Sequence, residues 1–124
     1  MYSIMCSVAP LVTKTSFSGE TMDEQLKKGL LEGCVLRCIR GQPSYGYKII
    51  DDLLPLLEVS ESTLYPVLKR LETQGLVNTY TQEYNGRLRK YYAITSLGIM
   101  ALDSFREKAQ KVIKITDFII GGNQ

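Results

Sequence analysis

The segment STLYPVLKRLE, residues 62–72, separates its aliphatic side chains from its hydroxyl-bearing and basic side chains. With successive residues about 100° apart around a helix axis, the aliphatic residues share one face, namely Leu64, Val67, Leu68 and Leu71. The opposite face carries Ser62, Tyr65, Pro66, Lys69, Arg70 and Thr73. Lysine and arginine bind phosphates or guanine edges, and hydroxyl groups bind either phosphates or bases. This face is therefore a candidate nucleic-acid surface, with an ordinary solvated helix surface as the alternative.

A second candidate surface follows the dipeptide Asn85-Gly86. This dipeptide separates two β-prone segments, LVNTYTQEY and RLRKYYAI, and predicts a tight hairpin because both turn positions require a positive φ. Alternation along the second strand places on one face Arg87, Arg89 and Tyr91, and on the other Leu88, Lys90, Tyr92 and Ile94. Three cations at the hairpin tip favour phosphate binding over the alternative, protection of an exposed strand edge. The candidate binding residues here are Asn85, Gly86, Arg87, Arg89 and Lys90.

Apolar residues at helical spacing predict three helices before the hairpin and one after it. The helices run from Asp23 to Arg40, from Tyr45 to Leu54, from Ser60 to Gly75 and from Thr95 to Gly121, with Ser44, Ser60 and Thr95 as predicted caps. Pro66 lies in the first two turns of the third helix, where the loss of one backbone donor is tolerated. The order predicts a mainly α (α+β) fold, with a winged helix-turn-helix domain over residues 23–95 and a C-terminal dimerisation helix over residues 96–120.

The last helix carries an apolar seam in which residues alternate by three and four. The seam consists of Leu102, Phe105, Ala109, Val112, Thr116 and Ile119. A narrow, heptad-like seam suits a partner helix, and this helix is long for so small a domain. We therefore predict a homodimer interface along the seam, with coverage of the domain's own core as the alternative.

The composition argues against an enzyme and against a metal site. The 124 residues include no histidine, which removes the commonest general base and the commonest metal ligand. The three cysteines, Cys6, Cys34 and Cys38, neither form a tetrahedral zinc site nor suggest a disulfide framework. A net charge of +2 permits a nucleic-acid partner without arguing for one. We predict a cytoplasmic protein that is not an enzyme and that needs no metal or cofactor.

Residues 1–22 precede the predicted domain. They have no basic n-region, and Ser7 and Pro10 interrupt their apolar stretch, so the sequence does not predict a signal peptide. Because MDEQLKKG from Met22 would make a natural start, residues 1–22 are predicted to be a poorly ordered extension. No segment approaches the roughly 18 apolar residues of a membrane span, so no membrane partner is predicted.

Three sequence blocks together resemble the signature of PadR-type transcriptional regulators. They are YGYKI at 45–49, STLYPVLKRLETQGLV at 62–77 and GRLRKYYAITSLG at 86–98. The resemblance extends from about Met22 to the end of the last helix. The short, single C-terminal helix is similar to that of the smaller subfamily.

The resemblance implies a dimeric repressor that binds a palindromic operator in double-stranded DNA. In this family the third helix enters the major groove, the hairpin reaches the flanking minor groove or backbone, and the last helix dimerises. Many members release DNA when a small planar apolar effector binds. By matching position, the resemblance implies DNA contacts from Thr63, Tyr65 and Lys69, contacts near phosphates from Tyr45 and Lys48, and wing contacts from Arg87, Arg89 and Lys90.

Two other functions remain open at the level of sequence. One is a winged-helix module that binds a protein partner instead of DNA. The other is a thiol-based redox-sensing regulator that uses Cys34 and Cys38, which lie four residues apart on the first predicted helix. Two thiols on one helical face do not easily reach disulfide geometry, so the sequence gives little support to the redox-sensing function.

Overall fold

The computed structural model describes residues 24–121, and these residues form four helices and a two-stranded antiparallel sheet. The elements are α1 Glu24–Cys38, α2 Gly46–Leu53, α3 Glu61–Thr73, β1 Val77–Tyr84, β2 Arg87–Ile94 and α4 Ser96–Ile120. The predicted α+β winged helix-turn-helix fold is confirmed. From Leu31 onward the described chain forms one compact unit, and residues 24–30 form the first part of α1. The predicted extension over residues 1–22 lies outside the described residues.

The apolar face of α3 lies in the middle of the core. Leu64, Val67, Leu68 and Leu71 are all buried, as their spacing predicts. Around them pack buried residues of the other elements and of the connections between the helices, namely Leu31, Val35, Leu36, Ile39, Ile49, Leu53, Val59, Val77, Tyr92 and Leu102. Burial of a leucine side chain contributes about 1.5–3 kcal/mol, so this face of α3 contributes substantially to stability.

Side-chain caps begin α3 and α4 where the sequence predicts them. The Ser60 Oγ accepts a hydrogen bond from the Thr63 backbone N–H at 3.3 Å. The Thr95 Oγ1 accepts from the Gly98 N–H at 3.0 Å and donates to the Gly75 carbonyl at 2.7 Å. Each cap satisfies a donor that the first turn of a helix leaves unpaired. The predictions for Ser60 and Thr95 are therefore confirmed.

The prediction that Ser44 caps α2 is wrong. Tyr45 occupies the N-cap position, and no side chain caps the helix. Ser44 instead pairs with the edge of β2: its N–H donates to the Tyr92 carbonyl at 3.0 Å, and its carbonyl accepts from the Tyr92 N–H at 2.7 Å. Ser44 lies one residue before the N-cap position of α2, and its backbone pairs with the sheet instead. Its Oγ is buried and has no hydrogen-bond partner among residues 24–121.

The hairpin forms at the predicted position. β1 and β2 pair from Val77 opposite Ile94 to Tyr84 opposite Arg87. The turn residues Asn85 and Gly86 have φ values of 53° and 79°, as a type I′ turn requires. The two-residue turn thereby sets the register of the hairpin, that is, which residue of β1 lies opposite each residue of β2.

The first half of α4 is held closely against the rest of the domain. A Cβ added at Gly98 would collide with the carbonyl oxygen of Leu76, so only glycine permits this approach. The ring of Phe105 lies against Gly33 of α1 in the same way. Leu102 is 2% exposed and belongs to the domain's own core. Leu102, one residue of the predicted seam, is therefore buried inside the domain and does not lie on the surface of a single chain.

We predict that Leu68→Ala lowers the free energy of unfolding by about 2–5 kcal/mol, because it opens a cavity beneath α3. Leu56→Ala is the matched control, since Leu56 is 77% exposed, and it should change the stability by less than about 0.5 kcal/mol. Urea denaturation followed by circular dichroism measures both. Equal losses for the two variants would contradict the described core.

Candidate nucleic-acid interface

A cleft of about 480 Å³ lies between the hairpin and the start of α2, with one side chain of α3 in its wall. Its lining residues are Tyr45, Gly46, Tyr47, Tyr65, Tyr84, Asn85, Arg87, Leu88, Arg89, Lys90 and Tyr92. Tyrosine rings and three cations thus converge on one open surface. Side chains of this kind bind phosphates and stack on bases or sugars.

Three hydroxyl groups cluster where α3 begins. The Ser60 Oγ lies 3.0 Å from the Ser62 Oγ and donates to the Thr63 Oγ1 at 3.1 Å. Ser62 is exposed and Thr63 is half-buried, so both predicted residues lie at the accessible end of the helix. The positive end of the helix dipole favours a negatively charged ligand in the same place.

The remaining predicted residues of α3 differ in what they contact. Lys69 is exposed, and no carboxylate pairs with it in the part of the chain that the structure describes. Pro66 is also exposed and lies inside the helix. The Arg70 Nε, in contrast, lies 3.3 Å from the Glu32 Oε2 of α1. Arg70 therefore connects two helices, whereas Lys69 has a free charge.

Tyr65 connects α3 to the start of α2. Its hydroxyl packs against Gly46, where an added Cβ would collide with it. The sequence suggests a tyrosine whose hydroxyl reaches outward, but the close approach to Gly46 turns the hydroxyl toward α2. The side chain remains partly exposed and forms one wall of the cleft.

The two residues predicted to lie near phosphates both have partners within the protein. The Lys48 Nζ forms an ion pair with the Asp52 carboxylate, one helical turn away, at 3.1 Å. The Tyr45 ring lies edge-on to the Tyr91 ring, with 5.5 Å between centroids. An ion pair on an exposed helix is weak, so it lowers the availability of the Lys48 charge without abolishing it.

The hairpin cations also occupy different surroundings. The Arg89 guanidinium lies over the Tyr45 ring at 4.0 Å and over the Tyr84 ring at 4.2 Å. The Lys90 ammonium lies 5.6 Å from the centre of the Tyr92 ring. Arg87 is exposed, and within residues 24–121 no ring or carboxylate contacts its guanidinium.

Two tyrosine hydroxyls of the cleft, those of Tyr47 and Tyr92, remain neutral donors near pH 7. A hydrogen bond to the Glu61 carboxylate raises the pKa of Tyr47. Burial, with the nearby Tyr65 and Glu72, raises the pKa of Tyr92. Because the phenols stay protonated, they do not offset the positive charge of the hairpin cations.

Sequence reasoning missed several residues of the cleft. They are Gly46, Tyr47, Tyr84, Leu88 and Tyr92. A signal for Tyr84 was present, because the two-residue turn places it opposite Arg87, on the same face of the hairpin as Arg89. Gly46 and Tyr47 offered no such local signal, since their contacts come from distant parts of the chain.

Two other kinds of site find little support among residues 24–121. Burial raises the pKa of the Cys34 and Cys38 thiols, which lowers the fraction of reactive thiolate. In the same residues, no three cysteine or carboxylate side chains lie together as a metal site would require. No helix of the described chain has the length and apolar character to cross a bilayer.

Comparison with known proteins identifies relatives of this fold. Residues 35–104 match the model of the transcriptional regulator PadR-like family. The structure of smu.1704 from Streptococcus mutans UA159 is similar, with a TM-score of 0.72, 37% identity and coverage of 78% of this chain and 92% of that chain. A PadR-like transcriptional regulator from Bacillus cereus has a TM-score of 0.67 and 31% identity, over 78% of this chain and 97% of its own. An uncharacterized protein of Lysinibacillus sphaericus is 33% identical over 77% of this chain and 92% of its own.

The hairpin beside α3, together with the cations and hydroxyls that they expose, defines a winged helix-turn-helix protein of the DNA-binding type. Since the family model covers more than half of the sequence, the chain belongs to the PadR-like family of transcriptional regulators. The predicted family is confirmed, and membership implies regulation through DNA binding. The hairpin is called the wing from here on.

We predict that Gly46→Ala destabilises the protein by about 1–3 kcal/mol, because the new methyl group must displace the Tyr65 ring. In a helix without such a contact the same substitution would stabilise by up to about 1 kcal/mol. In a Tyr65→Ala background the penalty should disappear, which a double-mutant cycle of unfolding free energies measures. Equal effects in both backgrounds would show that the contact is unimportant.

Proposed function

We propose that this protein is a homodimeric repressor that acts in the cytoplasm and binds a palindromic operator. In this proposal α3 enters the major groove, the wing follows the flanking backbone or minor groove, and α4 joins the two subunits. The observation that carries the proposal is that α3 exposes Ser62 and Lys69, which has no carboxylate partner among residues 24–121, and that Tyr65 of the same helix lines the cleft with the wing. These groups have the reach and chemistry for base edges and phosphates.

The proposal divides the work between the helix and the wing. On α3 we assign base contacts to Thr63 and Lys69, with Tyr65 shaping the surface between them. The wing cations supply affinity for any duplex, since contact with phosphate does not depend on sequence. Arg70 and Lys48 contribute less, because each already pairs with a carboxylate.

The second half of α4 supports the proposed dimer. Val112 is 54% exposed and Ile119 is 72% exposed, and both lie on the predicted seam. Other apolar side chains nearby are also exposed, namely Ile113, Ile115, Phe118 and Ile120. Large exposed apolar areas on a small domain are commonly covered by another protein surface. We assign the interface to Phe105, Ala109, Val112, Thr116 and Ile119.

The resemblance to the family also suggests release from DNA by a small planar apolar effector. We include this step in the proposal, and we assign no residues to it. A titration of the protein–operator complex with aromatic compounds tests it, and release at micromolar concentrations would support it.

The other two functions are less well supported. A redox-sensing regulator needs reactive thiolates, and burial disfavours them at Cys34 and Cys38. A module that binds protein has no need of three cations at the tip of the wing. The salt dependence of DNA retention separates the two binding modes, because counterion release gives DNA binding a steep slope.

For α3 we predict that Lys69→Ala reduces discrimination between operator and scrambled duplex by about 1–3 kcal/mol, if Lys69 contacts a base edge. The operator is first selected from random DNA with the wild-type protein. Lys111→Ala, an exposed lysine of α4, is the matched control and should preserve discrimination. Binding at one fixed salt concentration measures the ratio. Full selectivity in the Lys69 variant would show that Lys69 does not contribute to recognition of the DNA sequence.

For α4 we predict that Val112→Asp and Ile119→Asp, combined, convert a dimer into a monomer, because the new charges would be buried in the interface. Gln110→Asp adds a charge on a different face of the same helix and should leave the dimer intact. Sedimentation velocity measures the masses. The variant should still fold, since neither apolar residue belongs to the core. A dimer that survives both substitutions would refute the proposed interface.

A further inference from the structure

Arg89 differs from the other wing cations in that its guanidinium carbon lies over two tyrosine rings. The Tyr45 ring lies 4.0 Å away and the Tyr84 ring 4.2 Å away. Tyr84 lies diagonally across the hairpin from Arg89, since their direct partners are Arg87 and Gln82. Diagonal pairs on one face of a hairpin lie within reach of aromatic side chains. The register of the hairpin therefore places Tyr84 in this stack of rings on Arg89, and Tyr45, the residue before α2, supplies the second ring.

Tyr45 is itself held in place by neighbours. The pairing of Ser44 with Tyr92 puts Tyr45 beside Tyr91, whose ring contacts it edge-on. Tyr91 in turn stacks on Tyr80, with 5.4 Å between centroids and 9° between ring planes. A row of rings, Tyr80, Tyr91 and Tyr45, thus leads across the sheet to Arg89.

A stacked guanidinium keeps its hydrogen-bond donors available. The donors lie in the plane of the group and point outward from its edge, and contact with an aromatic ring does not use them. No carboxylate pairs with Arg89 in the described part of the chain, and Arg89 lines the open cleft. The fitting ligand is a planar pair of anionic oxygens, which a DNA phosphate supplies.

We propose that Arg89 is the oriented phosphate-binding residue of the wing and that Tyr45 and Tyr84 are its positioning residues. This inference rests on the proposed DNA binding. It adds that phosphate binding by Arg89 depends on how the side chain is oriented, whereas phosphate binding by Arg87 depends on charge alone. Arg87, which has no such stack, acts as a flexible charge. Stacking reduces the rotamer entropy that Arg89 loses when it binds phosphate.

The first test compares Arg89→Lys with Arg87→Lys, using a short random-sequence DNA duplex as the probe. Lysine keeps the charge but loses the planar fork and the stack. Arg89→Lys should weaken binding about tenfold more than Arg87→Lys does. The slope of log affinity against log salt should stay near that of the wild type in Arg89→Lys and fall by about one in Arg89→Ala. Arg106→Lys, on α4, is the control for an arginine outside the proposed surface.

The second test asks whether Tyr84 acts through Arg89. Tyr84→Leu should weaken binding several-fold with an unchanged salt slope, and Tyr84→Phe, which retains the ring, should restore the affinity. In an Arg89→Ala background, Tyr84→Leu should have no further effect. Thermal unfolding of every variant establishes that each compared protein is folded.

Three results would overturn the inference. The first is an Arg89→Lys loss no larger than that of Arg87→Lys. The second is an undiminished effect of Tyr84→Leu in the Arg89→Ala background, which would mean that Tyr84 contacts DNA itself. The third is a loss confined to a selected operator, which would point to a base edge instead of phosphate. A wild-type protein that fails to bind any duplex would instead overturn the proposed function, so the two failures are distinguishable.

Discussion

The pairing of Ser44 with Tyr92 is the interaction on which the candidate surface depends. Two backbone hydrogen bonds attach the edge of β2 to the residue that precedes the N-cap of α2. An isolated two-stranded hairpin is only marginally stable in water, so the wing needs this additional partner. The same pairing brings Tyr45 to Tyr91 and Arg89 and holds the start of α2 beside the wing. One backbone pairing between distant parts of the chain thereby helps to set the shape of the cleft.

Cations of the same charge have different roles because their neighbours differ. Arg70 joins α3 to α1 through Glu32, and Lys48 pairs with Asp52 within α2. Lys69 has no such partner among the described residues, and the Arg89 guanidinium lies over the Tyr45 and Tyr84 rings. Pairing with a carboxylate lowers the gain from binding phosphate, whereas stacking on a ring leaves the charge and the donors available. The count of basic residues on a face is therefore a poor measure of its binding strength.

The long helix α4 combines two environments. Its first half approaches the domain closely, where Gly98 meets the Leu76 carbonyl and Phe105 meets Gly33. Its second half exposes aliphatic and aromatic residues on several sides. A firmly held first half would transmit the position of any partner on the second half to the DNA-binding domain. Such an arrangement suits a protein in which two copies must present their helices at a defined spacing.

The sequence alone determined the elements, the buried face of α3, the hairpin turn and the caps at Ser60 and Thr95. Each of these follows from residues within a few positions of one another, through helical or alternating periodicity and local hydrogen bonds. It also pointed to the family through three blocks of residues. Only the tertiary structure decided that Ser44 joins the sheet, that Leu102 belongs to the core, and that Arg70 meets Glu32 and Arg89 meets Tyr45. Those outcomes depend on residues far apart in the chain that meet only when the helices and the wing pack, and periodicity carries no information about such distances.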